Sequence, residues 1–411
     1  VSPEPAREER PRRRRPGARR RLLGALVIFV ALLEVVARLA TRTAPNGMPA
    51  VLGYPLLPYR PTEPMIREWQ ASTAGSTYVV ADAQLGWCVG ASGRSLRDDG
   101  SALYTSNAQG VRAPADRSYA PQPAAGRVRV LTVGDSFTHC DDVPDDATWQ
   151  VALEAARPEL EVVNLGVPGY GTDQALLRWR RDGRRFQSQL VVLGIWPENM
   201  CRNLNLIRYY LVPSEGFLTK PRLRLEGGAL ATLNSPVLGG DELVATLTEP
   251  ETHPLLADER WYLPDESRPS LLQSLRSLRI AQSLVALYGR KQARERMYSG
   301  EDRSAIELTA AIAESFAREV REAGSTPLVL IIPMRELLAA HTAAQPFPLV
   351  AELRARGLDV LDLGPTFGRT VLELGNERMY VAQGHYTAEG NRLLAAALEE
   401  QLRPWIEAAP R

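Results

Sequence analysis

The chain has 411 residues, 45% of them hydrophobic and 24% charged, and a formal net charge of +1 at pH 7. These values describe a folded globular protein; they exclude an intrinsically disordered chain and give no overall basic charge for holding nucleic acid. Lysine occurs only at positions 220 and 291, so the basic charge is almost all arginine, and the three cysteines, Cys88, Cys140 and Cys201, form no metal-type CxxC pair.

The first element is a basic cluster, "REERPRRRRPGARRR", that runs into "LLGALVIFVALLEVVARLA". A helix from Leu22 to Leu39 would rise about 27 Å, close to the hydrocarbon core of a bilayer. Arginines ahead of the span predict a cytoplasmic N-terminus and an exported remainder. Arg38 and Arg42 break the small-residue pattern that signal cleavage near Ala40 or Ala44 would need. The expectation is a basic cytoplasmic tail over 1–21 and an uncleaved single-pass anchor over 22–40, in which Glu34 and Arg38 share a helix face near the outer end.

Residues 41–81, rich in Pro, Ser, Thr and Gly without a sustained period, read as a stalk. Over 82–125, "LGWCVG" and "ALYTSNAQGVRAP" predict a small strand-and-turn lead-in. The main domain is expected over 126–405. Its apolar runs "RVRVLTVGDS", "LEVVNLGVPGYG", "SQLVVLGIWPEN", "TPLVLIIPMRE" and "LDVLDLGPTF" read as buried strands alternating with helical patterns. That alternation implies an α/β fold with a mostly parallel five-stranded sheet covered on both faces. It breaks over about 203–304, an insertion with a hairpin around Gly227-Gly228 and an amphipathic helix in "LLQSLRSLRIAQSLVALYGR".

Four stretches would converge at the carboxyl edge of such a sheet, where ligands bind: Gly134-Asp135-Ser136, Asn164 to Gly171, Pro197-Glu198-Asn199, and the loop carrying His385. A serine hydroxyl needs a base within reach. Of His139, His253, His341 and His385, only the last sits on a loop that opens a terminal helix after the last strand. An acyl-transfer intermediate also needs oxyanion donors, and the Gly169 and Ser136 N–H groups and the Asn199 amide are candidates. The bland alternative makes Ser136 a helix cap. Asp135 is expected to bond the turn, and His139 to sit on a polar rim. The run containing Asp141, Asp142, Asp145 and Asp146 lacks calcium-loop spacing and reads as a solvated turn with an N-cap. No metal, nucleotide or redox cofactor is expected.

With "GDSFT", "NLGVPGYGT", "GIWPEN" and "GHYTAEGNRLLA" in order, the chain resembles the SGNH (GDSL-type) hydrolase superfamily, in particular its membrane-anchored or exported bacterial members. The resemblance implies a flavodoxin-like three-layer α/β/α fold, with Ser136 as nucleophile, His385 as base, and Gly169 and Asn199 as oxyanion donors. It implies an extracytoplasmic esterase or O-acyltransferase acting on acyl, chiefly acetyl, groups of envelope or secreted polysaccharide at the bacterial membrane. The expected partners are the polysaccharide or an acylated small molecule, the membrane through the N-terminal helix, and a multi-pass membrane acyltransferase; nucleic acid is not one. The family aspartate before the histidine is missing, since Gln383 and Ala382 occupy those positions. Three readings stay open: a Ser–His dyad with Gln383 orienting the imidazole, a triad with an acid from elsewhere, or a degenerate glycan-binding or assembly factor. In the expected fold Cys140 and Cys201 leave neighbouring strands, and export motivates a disulfide between them.

Overall fold

The computed structural model describes residues 16–44 and 46–409; most of the basic cluster, within 1–15, lies outside the described residues. The five apolar runs form strands β1 (Val128–Val133), β2 (Leu160–Asn164), β3 (Leu190–Ile195), β4 (Thr326–Ile331) and β5 (Val360–Asp362). All pairings are parallel, in the order β5-β4-β3-β1-β2. Read from the other edge this is 2-1-3-4-5, the flavodoxin-like order, and the order reverses between β1 and β3.

The runs are apolar at nearly every position because both faces are covered. Alternate residues of one strand enter different cores: Leu131, Val133, Leu193 and Ile195 face one side, Val128, Val130, Leu190 and Val192 the other. The helices that bear on the site and its cores are α1 (Pro16–Ala40), the short turn α2 (Ser136–His139), α3 (Trp149–Ala156), α4 (Thr172–Arg178), α5 (Arg276–Ser299), α6 (Ser304–Glu322), α7 (Pro348–Ala355) and α8 (Ala388–Ala408). Trp149 and Leu153 of α3 and Leu394 and Leu398 of α8 close the second core. Leu176 of α4, Phe316 of α6 and Leu353 of α7 close the first. Thr148 and Thr387 cap α3 and α8 by accepting from Val151 N and Gly390 N, which settles two otherwise unpaired helix N–H groups.

In the insertion, strands Arg222–Glu226 and Ala229–Leu233 form the expected hairpin, turning at Gly227 and Gly228, whose φ values of 57° and 86° favour glycine. The stalk expected over 41–81 is instead folded. It holds a three-stranded antiparallel sheet (Arg42–Thr43, Pro49–Val51, Tyr54–Pro55) and a helix over Glu63–Thr73. Leu57, Tyr59 and Ile66 enter the core, and Leu57 N donates to Ser283 Oγ of α5 at 2.9 Å. Strands this short carry no readable period, yet single apolar side chains still dock.

Cys140 and Cys201 are not bonded; all three cysteines are free and buried. Cys140 belongs to the core under α3 and α8, Cys201 to the opposite core, 3.6 Å from the Tyr298 hydroxyl. The strands are neighbours, but the turns after them send the two thiols to opposite sides of the sheet. Denaturing alkylation without prior reduction is therefore expected to add three labels to the intact mass; a species carrying one label would contradict this packing.

Candidate active site

β1 ends at Gly134 because the backbone is tightly enclosed there: a Cβ would overlap the Thr138 hydroxyl and stand 2.9 Å from Gly194 O. Asp135 then caps α2 by accepting from Phe137 N at 3.0 Å, so the cap is Asp135 and not Ser136. Ser136 opens α2 at the wall of a cavity of about 660 Å³, shared with Gly169, Gln383 and His385. The cavity lies at the β1/β3 switch point of the sheet.

Asp135 is itself buried, accepting from Asn199 Nδ2 at 2.9 Å and from Arg202 at 3.1 Å. Burial pushes its carboxyl up, against the Arg202 charge. Arg202 continues to Glu198 at 2.9 Å. Burial pushes Glu198 up too, but the charges of Arg202, Arg208 and Arg294 prevail and hold it at about 2. The cavity wall behind the serine is thus a ladder of paired acidic and basic groups.

The glycine turn is in place for an oxyanion. Gly169 has φ +77°, a conformation that suits glycine, and among the described residues no protein acceptor takes its N–H or that of Ser136. Asn199 differs from expectation. It is fully buried, its Oδ1 accepts from Trp196 N at 2.8 Å, and its Nδ2 donates both to Asp135 and to Tyr170 O at 3.1 Å. Both amide hydrogens are engaged, so an oxyanion role for Asn199 requires releasing one.

His385 Nδ1 lies 2.6 Å from Asp142 Oδ2. Gln383 is exposed on the cavity rim and, among the described residues, forms no hydrogen bond to the imidazole. The residue that orients His385 is therefore Asp142, six positions after Ser136, and the reading of Asp142 as a solvated turn residue is corrected. Burial pulls the imidazolium down, but the Asp142 hydrogen bond and the charges of Asp141, Asp142 and Asp135 outweigh it, so His385 titrates above the usual histidine value. His385 and Ser136 line one cavity without a direct hydrogen bond between them.

The loop that carries Asp142 has an unusual backbone: Cys140 (φ 65°) and Asp142 (φ 67°) are both left-handed, a conformation costly for side chains other than glycine. Arg112 holds it. Its guanidinium is buried and donates to the carbonyls of His139, Cys140 and Val143, the last at 2.6 Å, with Asp145 at 3.5 Å. His139, expected on a rim, is fully buried, with Nδ1 2.5 Å from Asp141 and Nε2 2.6 Å from the Tyr78 hydroxyl. Burial, with the Arg112 charge, lowers its pKa to about 4, so it braces the loop as a neutral ring. Sequence reasoning missed Asp142, Arg112 and Arg202. The first had one signal: an Asp-Asp pair beside the predicted nucleophile in a chain lacking the usual acid.

Aromatic side chains complete the pocket. Phe137 stacks on Trp196 with centroids 4.7 Å apart and meets His385 edge-on at 5.2 Å. Trp87, from the lead-in, donates to Pro168 O at 2.8 Å and so supports the Gly169 turn.

No family model matches the chain, and no curated protein matches it. Among solved structures, it is similar to a member of the lipolytic protein G-D-S-L family from Veillonella parvula, at 11% identity over 66% of this chain and 97% of that one, with a TM-score of 0.31. A catalytic mutant of an acetylxylan esterase from Geobacillus stearothermophilus matches at 12% identity, covering 68% and 96%, with a TM-score of 0.34. A two-domain esterase active on acetylated mannans matches at 11% identity, covering 70% of this chain and 52% of that one, with a TM-score of 0.35.

An NMR titration is expected to place the His385 pKa above the usual value of about 6.5, and to find it lowered in Asp142→Asn, where burial acts with less opposition. A histidine whose folded pKa is raised adds stability below its unfolded pKa, and that stability is lost as pH rises through the folded value. The thermal stability gap between wild type and Asp142→Asn should therefore be wider in weakly acidic than in alkaline buffer; an equal gap would show that the pair does not act as described. Arg112→Met, which frees three loop carbonyls, is expected to lower the His385 pKa in the same direction without touching either partner.

Proposed function

We propose that this chain is a membrane-anchored, extracytoplasmic serine esterase or O-acyltransferase of the SGNH type, working through Ser136, His385 and Asp142. One observation carries the reading: the 2.6 Å bond from His385 Nδ1 to Asp142 leaves Nε2 for the serine proton, in the cavity that Ser136 lines. An imidazole held in this tautomer by a carboxylate is what activates a serine hydroxyl. The same bond favours a triad with an acid from another loop over a dyad relying on Gln383, and over the degenerate-site reading that rested on the missing acid.

In this mechanism Ser136 Oγ attacks the acyl carbonyl and its proton passes to His385 Nε2. The Gly169 and Ser136 N–H groups stabilise the oxyanion, joined by Asn199 if its amide lets go of Tyr170 O. The intermediate collapses as His385 returns the proton to the departing alkoxide, leaving an acyl-serine. Water as acceptor then gives hydrolysis, and a sugar hydroxyl gives acyl transfer. Apo catalytic hydrogen bonds are often loose and tighten only with substrate, which accommodates the separate Ser136 and His385 side chains.

The cavity favours a small acyl group on a polyhydroxylated carrier. Trp87, Trp196 and Tyr380 offer flat faces, and Arg202, Glu198 and Arg335 offer donors and acceptors. Acetylated polysaccharide of the cell envelope fits this chemistry, with a multi-pass membrane protein as the source of acyl groups in the transferase version.

An activated phosphonate is expected to add once to the wild type by intact mass, and not to Ser136→Ala or His385→Ala. Asp142→Asn should lower kcat/KM for an aryl acetate by about 10²- to 10⁴-fold, in keeping with loss of the acid in a trypsin-like triad. Folded protein that takes no phosphonate would return the binding-factor reading to first place.

A further inference from the structure

Helix α5 presents an apolar stripe to the outside of the molecule. Leu275 at its N-cap, then Leu278, Leu284, Val285 and Tyr288 are exposed over about half of the helix circumference, with Leu271 (93%) and Leu272 just before them. The opposite face is satisfied by the protein: Ser283 takes the Leu57 N–H, and buried Arg290 bonds Glu266 at 2.7 Å. Exposed apolar patches of this extent on one face mark a contact surface. No Asp or Glu occurs from residue 267 to 294, and the arginines of α5 are turned to the protein, Arg279 donating to Leu56 O and Leu57 O, Arg290 to Tyr210 O and Arg294 to Leu211 O.

The start of α5 is fastened to α1. Glu34 accepts from Arg276 N at 2.9 Å, from Ser277 N at 3.0 Å and from Ser277 Oγ at 3.1 Å, and it pairs with Arg38 at 2.7 Å. A carboxylate within an apolar span is costly unless it is paired; here the free N–H groups at the start of α5 take it up. Glu34 lies six residues before the end of α1 at Ala40, about 9 Å along the axis. The beginning of α5 is therefore level with the outer part of the apolar span and not above it.

We infer that the segment 271–288 lies in the outer interface of a lipid bilayer, its exposed leucines among the acyl chains. The inference rests on the reading of α1 as a membrane anchor. A helix with an exposed apolar face suits such an interface, and α1 already brings the start of α5 to that depth. Arg294, six residues beyond Tyr288, lines the cavity that holds Ser136 and His385. The same helix that meets the lipid thus forms one wall of the site, which places the chemistry beside the membrane surface.

The test uses the full chain in vesicles of phosphatidylethanolamine and phosphatidylglycerol, with a nitrobenzoxadiazole probe on Leu272→Cys, Val285→Cys or, as a control, the exposed Leu372→Cys. The native cysteines are buried, which favours labelling of the introduced one. Brominated acyl chains are expected to quench the probes at 272 and 285 about twofold and to leave that at 372 unchanged. Carbonate extraction is run on the same vesicles. Protein that resists extraction but shows no quenching at 272 and 285 overturns the interfacial surface and leaves the anchor standing. Protein that carbonate removes overturns both.

Discussion

The guanidinium of Arg112 takes three carbonyls from the loop that follows Ser136, and the rest of the site depends on that grip. Left alone, a loop with two consecutive-but-one residues in the left-handed region would relax, since each costs of the order of 1–2 kcal/mol for a side chain larger than glycine. Arginine suits the task because its planar fork meets several acceptors at fixed angles, which a lysine ammonium would not do. With the loop held, Asp142 is presented to His385.

Much of this support comes from chain that precedes the first core strand. Tyr78 bonds His139, and Trp87 bonds Pro168 O while its own carbonyl takes the Tyr170 hydroxyl at 2.5 Å. Leu85 O takes Gln174 Nε2 at 2.7 Å, and Arg112 closes the loop after Ser136. The lead-in thus braces both the serine loop and the Gly169 turn from outside the sheet. Fixed donors of this kind need not reorganise when charge develops.

What was legible in the sequence follows the range of the interactions involved. The five strands could be read because burial on both faces makes each a continuous apolar run. The convergence of Ser136, Gly169 and His385 on one cavity could be read because each sits in a short local motif at a strand end or helix start. Asp142 could not, because its role depends on a backbone conformation imposed by Arg112 thirty residues earlier in the chain. Gln383 was favoured by nearness in sequence, but the turn from Val381 to His385, with Gly384 at φ 98°, leaves it on the rim. The cysteine pairing failed for a related reason: neighbouring strands were inferred correctly, but the direction of each thiol was set by the turn after the strand.

The position of Asp142 on the loop that follows Ser136 changes how the site can move. Ser136 and Asp142 belong to one clamped segment, so their separation is fixed by Arg112 and by the α2 turn. His385 alone arrives from elsewhere, on a loop steadied by the Tyr386 hydroxyl on Pro333 O at 2.9 Å and by the edge of Phe137. Its bond to Asp142 then acts as a pivot: rotation about that bond carries Nε2 toward or away from Ser136 without breaking the contact that sets its tautomer. An acid on the histidine's own loop would move with the histidine and leave both free to drift from the serine. Here any displacement of His385 from the nucleophile loop must stretch a bond to that same loop, so the contact that orients the base also keeps it within reach of the serine.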